Sequence, residues 1–320
     1  MAYRRLGRTG LKLSEIGLGS WLTYGAAVDR SVAEPCISKA LELGINLFDT
    51  ADVYADGEAE RLLGSILSAV PRKDYVLASK CYFPVGSGPN DQGLSRKHIF
   101  DSLHASLRRL RTEYIDIYQC HRFDEETPLE ETACAMDDLV RHGKVLYWGV
   151  SRWSAAQIAD MVSACGRNSL HPPCSNQPPF NLLERSIELD VLPACRQFGL
   201  GVLAYSPLAQ GVLTGKYSQG RRPPSSRATQ EGASVFMKKY LTVENLAAVD
   251  ALRPTAAEAG MSLAQLALAW CLRLPEISAV LVGATSPAQI EENARAAGRP
   301  ITSDLAARIE AVFAHPPLTR

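Results

Sequence analysis

The sequence has no surplus of charge of either sign: 34 lysines and arginines stand against 34 aspartates and glutamates. That balance leaves no basic footprint for nucleic acid and no electrostatic pull toward an anionic membrane. Long apolar runs are missing too. The longest stretch without a charged residue, Gln197 to Gly215, is broken by four glycines, Pro207 and two glutamines, and reads as strand plus loop, not as a bilayer span. The basic start, Met1-Ala2-Tyr3-Arg4-Arg5, is not followed by the apolar core of a secretory signal. None of the eight cysteines forms a C-x-x-C pair, so the expectation is buried, reduced thiols in a cytoplasmic protein. Only His121 of six histidines falls at the end of a candidate strand, too few for a metal hydrolase, and no metal site is expected. The G-x-S-x-G of a serine hydrolase is absent.

What is present is an ordinary globular composition, 46% apolar and 21% charged over 320 residues, which excludes wholesale disorder, a collagen and a disulfide mini-protein. Short β-rich runs alternate with helical patterns. Eight candidate strands are Ile16–Gly19, Ile45–Phe48, Tyr75–Ser79, Ile115–Gln119, Val145–Val150, Cys174–Asn176, Val202–Ala204 and Ala279–Val282. Most are apolar without alternation, as parallel strands covered on both faces should be. Helices are predicted over Ser31–Leu43, with Asp29 as N-cap and Gly44 beyond its end, then Glu58–Ser68, Arg96–Leu110, Pro128–His142, Ala155–Cys165 and Ser186–Gln197. Val243–Ala259, Ser262–Arg273, Pro287–Ala297 and Ser303–Ala314 complete them. Eight β-then-α units favour a closed (β/α)8 barrel over an open sheet, one domain spanning residues 1–320. Tyr3 to Leu13 reads as a hairpin turning at Arg8-Thr9-Gly10 and plugging the barrel's N-terminal end. The segment Thr214–Ser234, after the seventh strand, carries Gly215, Gly220, Pro223, Pro224, Lys216, Arg221, Arg222 and Arg227 and reads as a long loop on the active-site face.

Two phosphate-binding patterns fail on context. Gly199-Leu-Gly201-Val-Leu-Ala204 enters a strand where a dinucleotide fingerprint must leave one, and Gly211 to Tyr217 is one residue short of a P-loop. The polar residues just past the strands are more informative: Ser20, Asp49, Lys80, His121, Ser151-Arg152, Gln177, Ser206 and Gly283 converge on one mouth if the barrel closes. Tyr54, five residues beyond Asp49, reaches the same space. Taken singly, Asp49 and Lys80 also suit a structural ion pair, and Tyr54 or His121 also suits core packing. Together they make a device for protonating a carbonyl oxygen: a phenol, a lysine that lowers its pKa, an aspartate that keeps the lysine charged, and a histidine that orients the oxygen. No side chain delivers hydride, which implies a nicotinamide cofactor.

The chain resembles the aldo-keto reductases, and among them the branch of the voltage-gated potassium channel β subunits and their bacterial relatives. The resemblance rests on Tyr3-Arg-Arg-Leu-Gly-Arg-Thr-Gly-Leu, Asn46-Leu-Phe-Asp-Thr-Ala-Asp-Val-Tyr54, Gly93-Leu-Ser-Arg-Lys-His98, Tyr147-Trp-Gly-Val-Ser-Arg-Trp153, Ser206-Pro-Leu-Ala-Gln-Gly211 and Gln289-Ile-Glu-Glu-Asn293. It implies a (β/α)8 barrel, NADPH or NADP+, and a catalytic tetrad of Asp49, Tyr54, Lys80 and His121. In the channel subunits the histidine is commonly asparagine, so His121 favours a working enzyme. For the cofactor, the resemblance points to Ser20, Trp21 and Asp49, to Ser151, Arg152 and Gln177 around the nicotinamide, and to Tyr205 stacked on the ring. Ser206, Pro207, Leu208, Ala209, Gln210 and Gly211 would hold the pyrophosphate with Lys216 and Arg227, while Gly283, Thr285, Gln289, Glu292 and Asn293 would cradle the adenosine. Trp21, Tyr54, Tyr82, Phe83, His121 and Trp153 are the candidate substrate wall, with core packing an equal alternative for the aromatic residues. Phe180 departs from the tyrosine that many relatives carry before Asn181. A small carbonyl substrate, no nucleic acid, no membrane insertion and a homo-oligomer, tetrameric by resemblance, are the expectations. A sugar or polyol dehydrogenase and a nucleotide-sensing subunit of a larger complex are the alternatives.

Overall fold

The first residues of the computed structural model form the hairpin, β1 (Tyr3–Arg5) pairing antiparallel with β2 (Lys12–Ser14). The structure describes residues 1–25, 28–224, 226–229 and 233–313. Eight parallel strands then close on one another: β3 (Ile16–Gly19), β4 (Leu47–Asp49), β5 (Val76–Cys81), β6 (Ile115–Cys120), β7 (Val145–Val150), β8 (Ser175–Asn176), β9 (Gly201–Tyr205) and β10 (Ile277–Val282), which pairs with both β9 and β3. The fold is the (β/α)8 barrel with its N-terminal hairpin. The surrounding helices are α1 (Arg30–Glu42), α2 (Glu58–Leu67), α3 (Arg96–Leu110), α4 (Leu129–Arg141), α5 (Ala155–Arg167), α6 (Val191–Phe198), α7 (Val243–Ala251), α8 (Arg253–Glu258), α9 (Leu263–Leu272), α10 (Pro287–Ala294) and α11 (Ser303–Val312).

Alternation along each strand builds two cores. Leu47, Val76, Ala78, Ile117, Leu203, Ala279 and Leu281 point inward and pack with Leu6 and Leu13 of the hairpin, which closes the barrel floor. Phe48, Leu77, Cys81, Tyr118 and Cys120 point outward beneath the helices. This phase matters for the site: Lys80 falls two and four residues beyond the inward Ala78 and Val76, and so faces the barrel interior.

The helix ends obey local chemistry. Asp29 accepts from the Ser31 amide at 2.9 Å, and Gly44 takes the left-handed φ of 80° after α1. Ser154–Gln157 and Ser262–Gln265 form reciprocal capping boxes at α5 and α9.

The hairpin turns through Arg8-Thr9-Gly10, enclosed by the Leu6 N–H bond to the Leu11 carbonyl at 2.9 Å, and its left-handed residue is Gly7, which packs on the backbone of Gly199 and Leu200, where a Cβ would meet the Gly199 oxygen at 2.2 Å. Several boundaries differ from the sequence pattern. The helix expected over Ser186–Gln197 begins only at Val191, after a single turn at Ser186–Glu188; Pro193 fits the first turn of a helix and marks that later start. Val243–Ala259 divides into α7 and α8, since Pro254 has no amide for the Asp250 carbonyl. The Thr214–Ser234 loop is not structureless: short helical turns run through Ala209–Thr214, Ser218–Gly220 and Ala233–Met237. Ser225, Gln230, Glu231 and Gly232 of that loop, and Ala314 of the last predicted helix, lie outside the described residues.

Candidate active site

The C-terminal ends of the strands open into a cavity of about 1020 Å³. At its floor Lys80, fully buried, donates from Nζ to Asp49 Oδ2 at 2.7 Å, to the Thr50 carbonyl at 2.7 Å and to Tyr54 Oη at 3.3 Å. Asp49 takes a second bond on its other oxygen from Gln177 Nε2 at 2.8 Å, and Ser151 Oγ donates to the Gln177 carbonyl at 2.9 Å. Tyr54 is presented by a turn after β4 in which Ala55, Asp56 and Gly57 all take left-handed φ, 49°, 53° and 85°. Such backbone persists only where surrounding contacts hold it. His121, directly after β6, lies edge-on to Tyr54 with ring centroids 5.7 Å apart. Asp49, Tyr54 and His121 line the cavity, and Lys80 lies beneath Tyr54.

Burial sets the charge states. Removal from water pushes the Tyr54 phenol well above its usual range, and the Asp49 carboxylate adds to the rise. Tyr54 is therefore a neutral phenol with a proton to give. Desolvation sets the net direction of the Tyr54 shift even with the Lys80 ammonium 3.3 Å from its hydroxyl. The Lys80 pKa is itself lowered by burial, with the Asp49 carboxylate opposing the fall. Desolvation, and then the positive charges of Lys80 and Arg122, hold His121 well below 6.5, so its imidazole is neutral, and Nδ1 has no hydrogen-bond partner among the described residues. The site thus offers a phenol and a neutral imidazole to one oxygen.

The longer limb of the cavity is built by β7 to β10. Arg152, Gln177, Tyr205 and the Ser206–Leu208 turn line it, with Gln210, Gly211 and Lys216 beyond them. Ser206, Ala209, Gln210 and Gly211 all have positive φ, which wraps the chain tightly at this edge. Gln210 donates to Ser206 Oγ at 2.7 Å and accepts from Arg227 Nη1 at 2.5 Å. Arg227 reaches Gly283, where a Cβ would stand 3.0 Å from its Nη2. Burial lowers the pKa of this guanidinium, and it has no carboxylate partner among the described residues. Thr285, Gln289, Glu292 and Asn293 line the far end.

Some expected residues stand elsewhere. Ser20 and Ala209 are buried behind the wall, and Arg221 and Arg222 are exposed. Trp153 is not on the substrate wall; it is 2% exposed and packs edge-on against Phe123 in the outer core at 4.9 Å. Tyr82 stands behind Phe83, edge-on at 5.3 Å, and it is Phe83 that lines the cavity. Phe180 turns into the core and stacks on Trp270 at 5.2 Å, which accounts for its doing without a hydroxyl. The cavity also recruits Arg122, Phe236, Lys239 and Tyr240. Arg122 is one residue beyond a strand-end reading that stopped at His121. The other three come after the basic loop, and no motif marks them; Phe236 caps the mouth edge-on to Trp21 at 4.9 Å. Among the described residues no group of three or more His, Cys, Asp or Glu is placed to hold a metal, and no helix is long and apolar enough to cross a membrane.

Fold and cavity together define an α/β-barrel protein with a small-molecule site at the C-terminal ends of its strands. The model of the Aldo/keto reductase family matches residues 15–314. The chain is 42% identical over 322 residues to a "Probable voltage-gated potassium channel subunit beta" of Oryza sativa subsp. japonica, covering 99% of this chain and 98% of the relative. A protein of the same description from Arabidopsis thaliana is 42% identical over 299 residues, 92% of this chain and 91% of that one. The chain belongs to the aldo/keto reductase family, and the membership supports oxidoreductase activity on carbonyl groups.

Proposed function

We propose that the protein reduces an aldehyde or ketone to the alcohol with NADPH, with Tyr54 as general acid. The observation that carries the reading is one cavity holding a neutral phenol bonded to a buried lysine at one end and a half-buried guanidinium without a carboxylate partner among the described residues at the other. The residues fit the cofactor. Arg227 and Lys216 suit phosphates, one as a planar fork and the other as a point charge. The missing side chain at Gly283 lets Thr23 and the Arg227 guanidinium pack close to its backbone. Ser151, Arg152, Gln177 and Tyr205 would surround the nicotinamide, Ser206 to Gly211 the pyrophosphate, and Thr285, Gln289, Glu292 and Asn293 the adenosine.

When bound, the nicotinamide would supply the hydride for the carbonyl carbon. Tyr54 Oη then gives its proton to the carbonyl oxygen, so that carbonyl, NADPH and one proton become alcohol and NADP+. Lys80 fixes the phenol's position, and Asp49 keeps Lys80 in place. His121, neutral, donates one N–H to the same oxygen and orients it.

NADPH and NADH oxidation against a panel of neutral aldehydes and ketones tests the reading. Turnover with NADPH, and less with NADH, is expected. NADPH binding without turnover of any carbonyl would shift the reading to a nucleotide-sensing subunit of a larger complex; the two relatives are described as channel subunits.

A further inference from the structure

Two cations on the catalytic side of the cavity, Arg122 and Arg152, have no ion pair among the described residues; Arg152 is exposed to water, whereas Arg122 is half-buried beside His121. Lys80 is held by Asp49, and Lys239 by Glu184 at 2.7 Å. Lys216 and Arg227 belong to the far limb. Arg122 comes directly after His121, donates only to the His121 carbonyl, at 2.5 Å, and lies over the Phe83 ring at 5.0 Å. Phe83 is in turn edge-on to His121 at 4.9 Å. Arg122 is half-buried on the cavity wall beside the two groups that would bind the reacting oxygen, and among the described residues no carboxylate is within ion-pair distance. The nearby Arg152 adds like charge. A guanidinium half out of water and left unpaired is costly, and an anion in the cavity would relieve that cost.

We infer that the preferred substrates are carbonyl compounds carrying a carboxylate or phosphate a few bonds from the reacting carbon, and that Arg122 selects them by pairing with that anion. The inference rests on the carbonyl-reduction reading. It adds an ion pair at the end of the substrate remote from the chemistry. The planar fork of Arg122 is already oriented by the His121 carbonyl and the Phe83 face, so little side-chain freedom is lost when an anion binds.

Two substrate pairs test it: succinic semialdehyde against butanal, and glyceraldehyde 3-phosphate against glyceraldehyde. For the wild type, kcat/KM should favour the anionic member at least tenfold, mainly through KM. In Arg122→Gln the ratio should fall at least tenfold, and Arg122→Lys should recover part of it. A preference in one pair alone identifies the anion as carboxylate or phosphate and supports the assignment. Equal treatment of both pairs by the wild type, or a preference that survives Arg122→Gln, overturns it. Failure to reduce any of the four would contradict carbonyl reduction itself. Calorimetric titration of succinate and of succinamide, into the free protein and into its NADPH complex, then decides the role of Arg122 separately. Succinate binding that is lost in Arg122→Gln supports the anion site; equal binding of the two probes, or none, removes it.

Discussion

At the scale of single residues, burial without hydrogen bonding is the feature with the clearest consequence. Asp52, next to the turn that presents Tyr54, is 2% exposed, and neither carboxylate oxygen has a hydrogen-bond partner among the described residues. Burial first, then the nearby Glu60, raises its pKa from 3.8 to about 8, with Arg109 opposing. The folded state therefore keeps a proton that the unfolded chain releases near pH 4. The stability present at low pH is lost as pH rises through that interval toward 8. Denaturant unfolding of the wild type should show a loss of about 1–3 kcal/mol between pH 5 and pH 8, and Asp52→Asn should flatten it. An equal slope in both proteins would mean that Asp52 is ionised in the fold. The charge states of Tyr54 and His121 come from the same desolvation and could not be read from the sequence, which shows that Lys80 can approach the phenol but not how little water surrounds either group.

At the scale of elements, α2 and α3 are joined by a buried ion pair. Arg109 Nε donates to Glu60 at 2.6 Å, and Ser79 Oγ of β5 donates to the other Glu60 oxygen at 2.6 Å. Removing one partner strands the other charge away from water. Arg109→Leu should cost about 3–5 kcal/mol in equilibrium unfolding, against under 1 kcal/mol for an exposed pair such as Arg61–Glu58. The hairpin gives a second case. Gly7→Ala places a Cβ at positive φ, 2.2 Å from the Gly199 carbonyl, and should lift the plug from the barrel floor. A loss of at least about 2 kcal/mol in thermal or chemical unfolding is expected, while Gly10→Ala, with open space around it, should cost far less. Much of this level is legible in the sequence. Eight apolar runs define parallel strands, and the polar residues just past them single out Asp49, Lys80 and His121, although Ser20, chosen the same way, is buried behind the wall. The segments beyond the strand ends are less legible. Trp153 is only two residues past Ser151 yet folds back into the outer core, and Phe236, Lys239 and Tyr240 come to the mouth through tertiary packing of a loop with no periodic pattern.

At the scale of the whole molecule, the basic loop packs over the barrel mouth and contributes Lys216 and Arg227 to the cavity lining. The loop is fastened at its base, where Ser218 Oγ bonds Asp250 at 2.5 Å, and beyond its far end, where Tyr240 and Lys239 both reach Glu184. Between these anchors Arg227 enters the cavity. Lys216→Ala with Arg227→Ala should weaken NADPH binding by about 2–4 kcal/mol, most of it from Arg227 because Lys216 is exposed. Tryptophan fluorescence titration with NADPH and NADH measures the loss, and the wild type should prefer NADPH. NADPH should also protect the loop from trypsin at Lys216, Arg221 and Arg227; digestion unchanged by the cofactor would show that the loop does not close on it. The most direct measurement of all compares wild type with Tyr54→Phe. Rapid mixing of the NADPH complex with a neutral aldehyde tracks a single turnover, and NADPH affinity is measured alongside. Loss of the proton donor alone should slow the turnover by about 10²–10⁴-fold and leave NADPH affinity unchanged. Near wild-type turnover in the Phe variant would contradict Tyr54 as the acid.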